Sequence, residues 1–202
     1  MRQRDASHNP LISFDFSRTG RPLHPSPDQL SEDPAIIRLA LYQPDMPPNV
    51  GTILRLGACL GTPVDIIDPC GFPFSHRSLR RAGIDYLDKV ALARHRDWQA
   101  FDEAMAGTRL LLLTTAATQT YSGFAYRPGD CLLLGSESAG VPAEVHARAD
   151  ARLRIPMRPG LRSLNVAVAA AMALGEALRQ TAGFPAGDEP VISNSPPGPD
   201  SS

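Results

Sequence analysis

Three short stretches of this 202-residue sequence combine groups able to hold and orient a small ligand. The first is Pro44-Asp45-Met46-Pro47-Pro48-Asn49-Val50-Gly51. Its adjacent prolines stiffen a loop, Asn49 offers both a cap and a free amide, and Arg55 follows six residues on. A capped helix with a solvated arginine is the plain alternative. The second is Leu134-Gly135-Ser136-Glu137-Ser138-Ala139-Gly140-Val141-Pro142, whose glycines permit tight turns and close backbone approach to a ligand. A Walker A loop would need Lys and Ser/Thr where Val141 and Pro142 stand. A nucleophile elbow would need glycine at Ser136, and a dinucleotide-binding G-x-G would need glycine at Glu137. Hydrolase and kinase readings therefore lose ground. The third, Ile155-Pro156-Met157-Arg158-Pro159-Gly160-Leu161-Arg162-Ser163-Leu164-Asn165, runs into an Ala-rich helical segment. Ser163 is the expected N-cap, and Asn165, a mediocre helix former, either orients a ligand or caps the chain end.

Each loop follows an apolar run, which is where open α/β sheets place their ligands. Strands are expected at 36–42, 64–68, 110–114, 131–135 and 152–156. The runs Leu110-Leu111-Leu112-Leu113 and Cys131-Leu132-Leu133-Leu134 have no polar face, as in strands buried on both sides. Helices are expected from Asn49 to Leu60, with Gly61 as the stop, and at 76–82, 97–106 and 163–181. On the last, Leu164, Ala167, Val168, Ala171, Leu174, Ala177 and Leu178 form one stripe. Strands alternating with helices imply an α/β fold, a parallel sheet flanked by helices.

Residues 1–34 contain five prolines and no sustained period, and 184–202 read the same way. Both are expected to be disordered tails around a folded unit at 35–183. The net charge of −1 gives no push toward nucleic acid, but the acids concentrate in the tails and 35–182 carry about +3. Cys59, Cys70 and Cys131 form no C-x-x-C pair, so neither a zinc site nor a disulfide framework is expected. His76, His95 and His146 show no ligand spacing, and no metal is expected. No apolar run reaches the length that crosses a bilayer, and no secretory signal opens the chain, so a reducing cytoplasmic setting is expected. Arg77, Arg80 and Arg81 read equally as a solvated face or as phosphate contacts. Arg94-His95-Arg96 reads as plain surface, and Trp98 with Phe101 as helix core.

Taken together, P-x-x-P-P-N-x-G-x-I-x-R, L-G-x-E-x-x-G-[LV]-P and I-P-M-x-P-x-x-R-S-L-N-V resemble the three signature motifs of the SpoU family of SPOUT-class 2′-O-ribose methyltransferases. The resemblance spans nearly all of 36–184. The segment Arg80-Arg81-Ala82-Gly83-Ile84-Asp85-Tyr86, in a short chain without an added RNA-binding domain, points to the TrmL branch. Its members methylate the wobble nucleotide of tRNA, position 34.

That resemblance implies a fold whose C-terminal part threads through a loop as a trefoil knot. It implies S-adenosylmethionine as cofactor, held by Leu113, Gly135, Ile155 and Ser163 with Met157 and Leu164 nearby, and with Glu137 bracing the loop or facing the cofactor's cationic end. It makes Arg55 and Asn165 the catalytic pair. An arginine stays protonated, so Arg55 is expected to stabilise developing alkoxide charge on the ribose oxygen. Candidate RNA contacts are Asn49, Arg80, Arg81 and Arg162. The implied partners are a tRNA anticodon stem-loop, with cytidine or modified uridine of leucine tRNAs as target, and a second copy of the chain. Ala167 stands where the wider family often has serine. Methylation of another tRNA or rRNA ribose, and a non-catalytic RNA-binding paralogue, are therefore the alternatives.

Overall fold

A strand without a polar face must be covered on both sides. In the computed structural model, which describes residues 35–74 and 89–185, the two such runs form β4 (Leu110–Leu113) and β6 (Cys131–Leu134). They pair with each other, and β6 also pairs with β1 (Arg38–Tyr42), within a seven-stranded sheet ordered β3-β2-β1-β6-β4-β7-β5. The other strands are β2 (Val64–Ile67), β3 (Leu92–His95), β5 (Gln119–Thr120) and β7 (Ala151–Arg154). Every named pairing is parallel. The five expected strands are present, four with slightly shorter ends and the last displaced to begin one residue earlier, whereas β3 and β5 go beyond the sequence expectation. The helix expected at 76–82, with His76, Arg77, Arg80 and Arg81, lies outside the described residues, as do 1–34 and 186–202.

Period-two alternation divides the strand residues between two cores. Leu39, Leu41, Leu111, Leu132 and Leu134 pack with α1 (Pro47–Leu60) and α4 (Val166–Thr181) on one face. Ala40, Tyr42, Leu110, Leu112, Cys131 and Leu133 pack on the other face with Phe101 of α2 (Trp98–Ala104) and Val145 of α3 (Ala143–Arg148). Burying each such leucine contributes about 1.5–3 kcal/mol. Trp98 leans on Phe101 at 5.5 Å between ring centroids, in the core as expected.

Helix starts depart from expectation in an informative way. Pro47 and Pro48 occupy the first two positions of α1, where a missing N–H costs nothing, so Met46 is the N-cap instead of Asn49. At the other end Gly61 stops the helix as expected, at φ 64°. Asn165, not Ser163, caps α4, its Oδ1 accepting from Ala167 N at 2.9 Å and Val168 N at 3.3 Å. The buried stripe of α4 is Ala167, Ala170, Ala173, Leu174, Ala177 and Leu178. Leu164, which precedes the helix, and Val168 and Ala171 of the expected stripe are exposed, because the inward face is centred on the line through Ala170, Ala173 and Ala177. Nor is the 94–96 stretch plain surface. His95 Nε2 lies 2.8 Å from Oδ1 of the fully buried Asp65, which also receives Arg38. Arg94 bonds Asp68 at 2.6 Å.

Helix α1 approaches the sheet closely at Gly57, where a Cβ would lie 2.7 Å from Thr62 O and 2.8 Å from Val64 Cγ2. Gly57→Ala is expected to destabilise the fold by about 1–3 kcal/mol despite alanine's better helix propensity. In a circular-dichroism melt that means a Tm lower by roughly 2 °C or more. A melt at or above wild type would contradict this close packing.

Candidate active site

The C-terminal ends of β1, β4, β6 and β7 share one edge of the sheet, and the loops that follow them enclose a cavity of about 680 Å³. Its size suits a small organic ligand. The first loop contributes Met46 and Asn49. The second contributes Gly135, Glu137 and Gly140, and the third Ile155, Met157, Ser163, Leu164 and Asn165. Leu113 lines it from the end of β4. All seven residues expected to hold a cofactor therefore meet here, together with Asn49 and Asn165. Arg162 lines an adjoining cavity of about 960 Å³, which shares Glu137, Ile155, Met157 and Ser163 with the first.

Arg55 is not brought to this cavity by its own chain. It is exposed on α1 and absent from the lining of either cavity. Arg80 and Arg81 lie outside the described residues.

A directional hydrogen-bond relay ties the three loops together. The free N–H groups at the start of α4 require an acceptor, so Asn165 gives them its Oδ1 and turns its Nδ2 outward. That Nδ2 donates to Asn49 Oδ1 at 2.8 Å. Asn49 Nδ2 then donates to Glu137 Oε1 at 2.7 Å. Had Asn49 been the helix cap, its side chain would not be free to bridge. The Pro47-Pro48 start releases it.

Glu137 also meets Asp45. A hydrogen bond from Glu137 is the main influence holding the Asp45 carboxyl down at about 2. Loss of solvent, and then the bond to Asp45, push the Glu137 carboxyl above its ordinary range. Of the two acids, Glu137 keeps its proton longer as pH rises. Behind them the second loop is closed by Ser136 N to Gly140 O at 3.1 Å and Gly140 N to Ser136 O at 2.9 Å.

The walls suit a ligand with an apolar flat part and a polar part. Leu112, Leu134, Val141 and Leu153 supply the former. Backbone at Gly135 leaves no space for a side chain, since a Cβ there would lie 2.6 Å from Gly140 C. Ala167 is 5% exposed and packs in the core, so a hydroxyl at that position would face inward. Ala167, the departure from the family motif, is not among the residues lining the cavity.

The sequence reading missed Asp45, although it lies inside the first loop, and missed His146 and Val141 in the lining. His146 comes from α3, a helix of six residues too short to show a period. Among the described residues no three His, Cys, Asp or Glu side chains gather as a metal site, and no helix is long and apolar enough to cross a membrane.

The model of the SpoU rRNA methylase family matches residues 36–175. The tRNA (cytidine(34)-2'-O)-methyltransferase of Beijerinckia indica subsp. indica is 64% identical over 144 residues, covering 70% of this chain and 90% of that protein. A solved structure described as structural insights into the 2-OH methylation of C/U34 on tRNA is 43% identical, with a TM-score of 0.68, over 73% of this chain and 97% of that one. The AdoMet-bound rRNA methyltransferase of Sinorhizobium meliloti is 27% identical with a TM-score of 0.66, over 74% of this chain and 59% of that one. With its three loops meeting at one cavity and the family model spanning most of its length, this chain belongs to the SpoU methylase family.

Proposed function

We propose that this protein is an S-adenosylmethionine-dependent enzyme that methylates the 2′-hydroxyl of the tRNA wobble nucleotide, position 34, a cytidine or modified uridine. The observation that carries the reading is the convergence of three separated loops on one cavity through the Asn165–Asn49–Glu137 relay. The 64% identity to a tRNA (cytidine(34)-2'-O)-methyltransferase supports the choice of nucleotide, and a tRNA substrate fits a cytoplasmic setting. Leucine tRNAs are the acceptors that the motif resemblance implies.

The apolar walls would hold the adenine of S-adenosylmethionine, and the backbone around Gly135 would meet its polar groups. When bound, S-adenosylmethionine supplies a methyl group already activated by a positive sulfur. The protein's task is then to orient the ribose and to favour negative charge on its attacking oxygen. We read Asn165 and Asn49 as the residues that hold the ribose and Arg162 as an RNA contact, which their positions in the lining of the two cavities support. Arg80 and Arg81 keep their role as proposed phosphate contacts.

The enzyme is read as a homodimer in which Arg55 serves the partner's cavity. Its exposure on α1, away from its own cavity, supports this, as does an uncovered apolar strip at Leu161 (65% exposed), Val168 (49%) and Met172 (37%). The stretch from β7 through α4 is read as the knotted segment, supported by the likeness to solved methyltransferases of the family. Residues 1–34 and 184–202 are read as tails without a catalytic part.

The test is methylation of bulk tRNA by the purified protein, with nucleoside mass spectrometry and mapping of the product. Ribose methylation confined to position 34, retained by a 35–183 fragment, is the expected result. Methylation elsewhere would replace the substrate, and none at all would favour an RNA-binding paralogue.

A further inference from the structure

We propose that Asp45 is a positioning residue for the cofactor-binding loop, clamping it through two backbone N–H groups, and that Gly71 fixes where the clamping carboxylate sits. The inference rests on the methyltransferase reading above. Asp45 Oδ1 accepts from Glu137 N at 3.3 Å and Oδ2 from Ser138 N at 3.1 Å. Two adjacent N–H groups aimed at one side chain call for an acceptor on both of its atoms, which a carboxylate supplies and an amide does not. Glu137 and Ser138 sit at the tip of the turn closed by Ser136 and Gly140. The clamp therefore sets where the Glu137 side chain begins, and through Asn49 it bears on Asn165. The low carboxyl of Asp45, at about 2, keeps the clamp charged throughout the working range of pH.

A fourth loop holds Asp45 from behind. Gly71, just after β2, donates its N–H to Pro44 O at 2.9 Å. A Cβ on Gly71 would lie 2.8 Å from Asp45 Cβ and 3.0 Å from its Cα. Even one methyl group there must move the acid. The site can thus be perturbed from two independent directions, by changing the acceptor and by displacing it.

Full-length wild type, Asp45→Asn, Asp45→Glu and Gly71→Ala are compared by initial-rate kinetics on tRNA, with melting curves for each. Losing one acceptor from a charged pair should raise the KM for S-adenosylmethionine about tenfold. The KM for tRNA and the Tm should stay near wild type, because the contact is exposed and outside the core. Gly71→Ala should show the same split, and Asp45→Glu, which restores two acceptors, should return the KM to within about threefold of wild type. A wild-type KM in Asp45→Asn overturns the proposal. So does a rise in both KM values accompanied by a lower Tm, which is the mark of a general structural role. Calorimetric titration of the wild type with S-adenosylmethionine separates the two levels. Absence of binding there defeats the functional reading itself, whereas normal binding with unresponsive variants defeats only the role of Asp45.

Discussion

Arg55→Ala is expected to lower methyl transfer by roughly 10²–10³-fold, the scale for losing one donor that stabilises developing oxyanion charge. Calorimetric affinity for S-adenosylmethionine should be unchanged. The two parts of this result come from different features of the structure. Arg55 lines neither cavity, so cofactor binding in the same subunit has no reason to depend on it. Along α1 it lies about 9 Å beyond Asn49 and well around the helix from it. In the proposed dimer the guanidinium would instead meet a reacting ribose in the neighbouring subunit. Mixing protomers tests that arrangement. An Arg55→Ala chain keeps an intact cavity, and a chain with a spoiled cavity keeps its arginine. If the arginine acts across a two-fold interface, the mixture regains up to about a quarter of wild-type activity from two inactive parents. If activity stays absent after mixing is verified, Arg55 does not act in trans. Full activity in Arg55→Ala itself would remove the residue from the mechanism.

How far such residues can be seen in the sequence depends on the range of the force that places them. Strands β4 and β6 are legible because four consecutive apolar residues can only be buried on both faces. Strand β3 is not, since its residues Arg94 and His95 look like surface until Asp68 and the buried Asp65 are brought alongside. That pairing spans about thirty residues and has no local signature. The same division holds in the site. Gly135, Ile155 and Ser163 are recognisable because their motifs are contiguous. The Asn49–Asn165 contact joins residues 116 positions apart, and Asp45 meets Ser138 across 93. Local rules misplace the cap at both α1 and α4 for one reason. Such a rule names the nearest suitable polar residue, whereas the prolines at 47 and 48 and the donor chain through Asn49 decide which one caps. At α1 the residue wrongly expected to cap is Asn49, a member of the relay, and at α4 Ser163 gives way to Asn165, another member, so local preference yields to the needs of the site.

Gly135→Ala should weaken S-adenosylmethionine binding by roughly 30- to 100-fold, corresponding to the upper part of the about 1–3 kcal/mol typical of overpacking. The reason is space, not backbone freedom. A Cβ at Gly135 would stand 2.6 Å from Gly140 C and 2.8 Å from both its Cα and its O. These are backbone atoms, so no side chain can swing aside, and the Ser136–Gly140 bridge must open. Opening it shifts Glu137, which loosens the bond from Asn49 and spreads the loop that forms one wall of the cavity. Leu134 and the rest of β6 remain anchored in the core, so a folded protein with a damaged cavity is expected. Gly140→Ala supplies the contrast. Gly140 has φ 67°, but a Cβ added there would meet nothing within 4 Å, so its substitution costs only the left-handed backbone penalty of about 1–2 kcal/mol. Part of that penalty falls on folding, which the melt records, so the loss of affinity should be several-fold smaller than for Gly135. Equal damage at the two positions would mean that turn conformation shapes the cofactor loop, and the close approach of its two strands would lose its role.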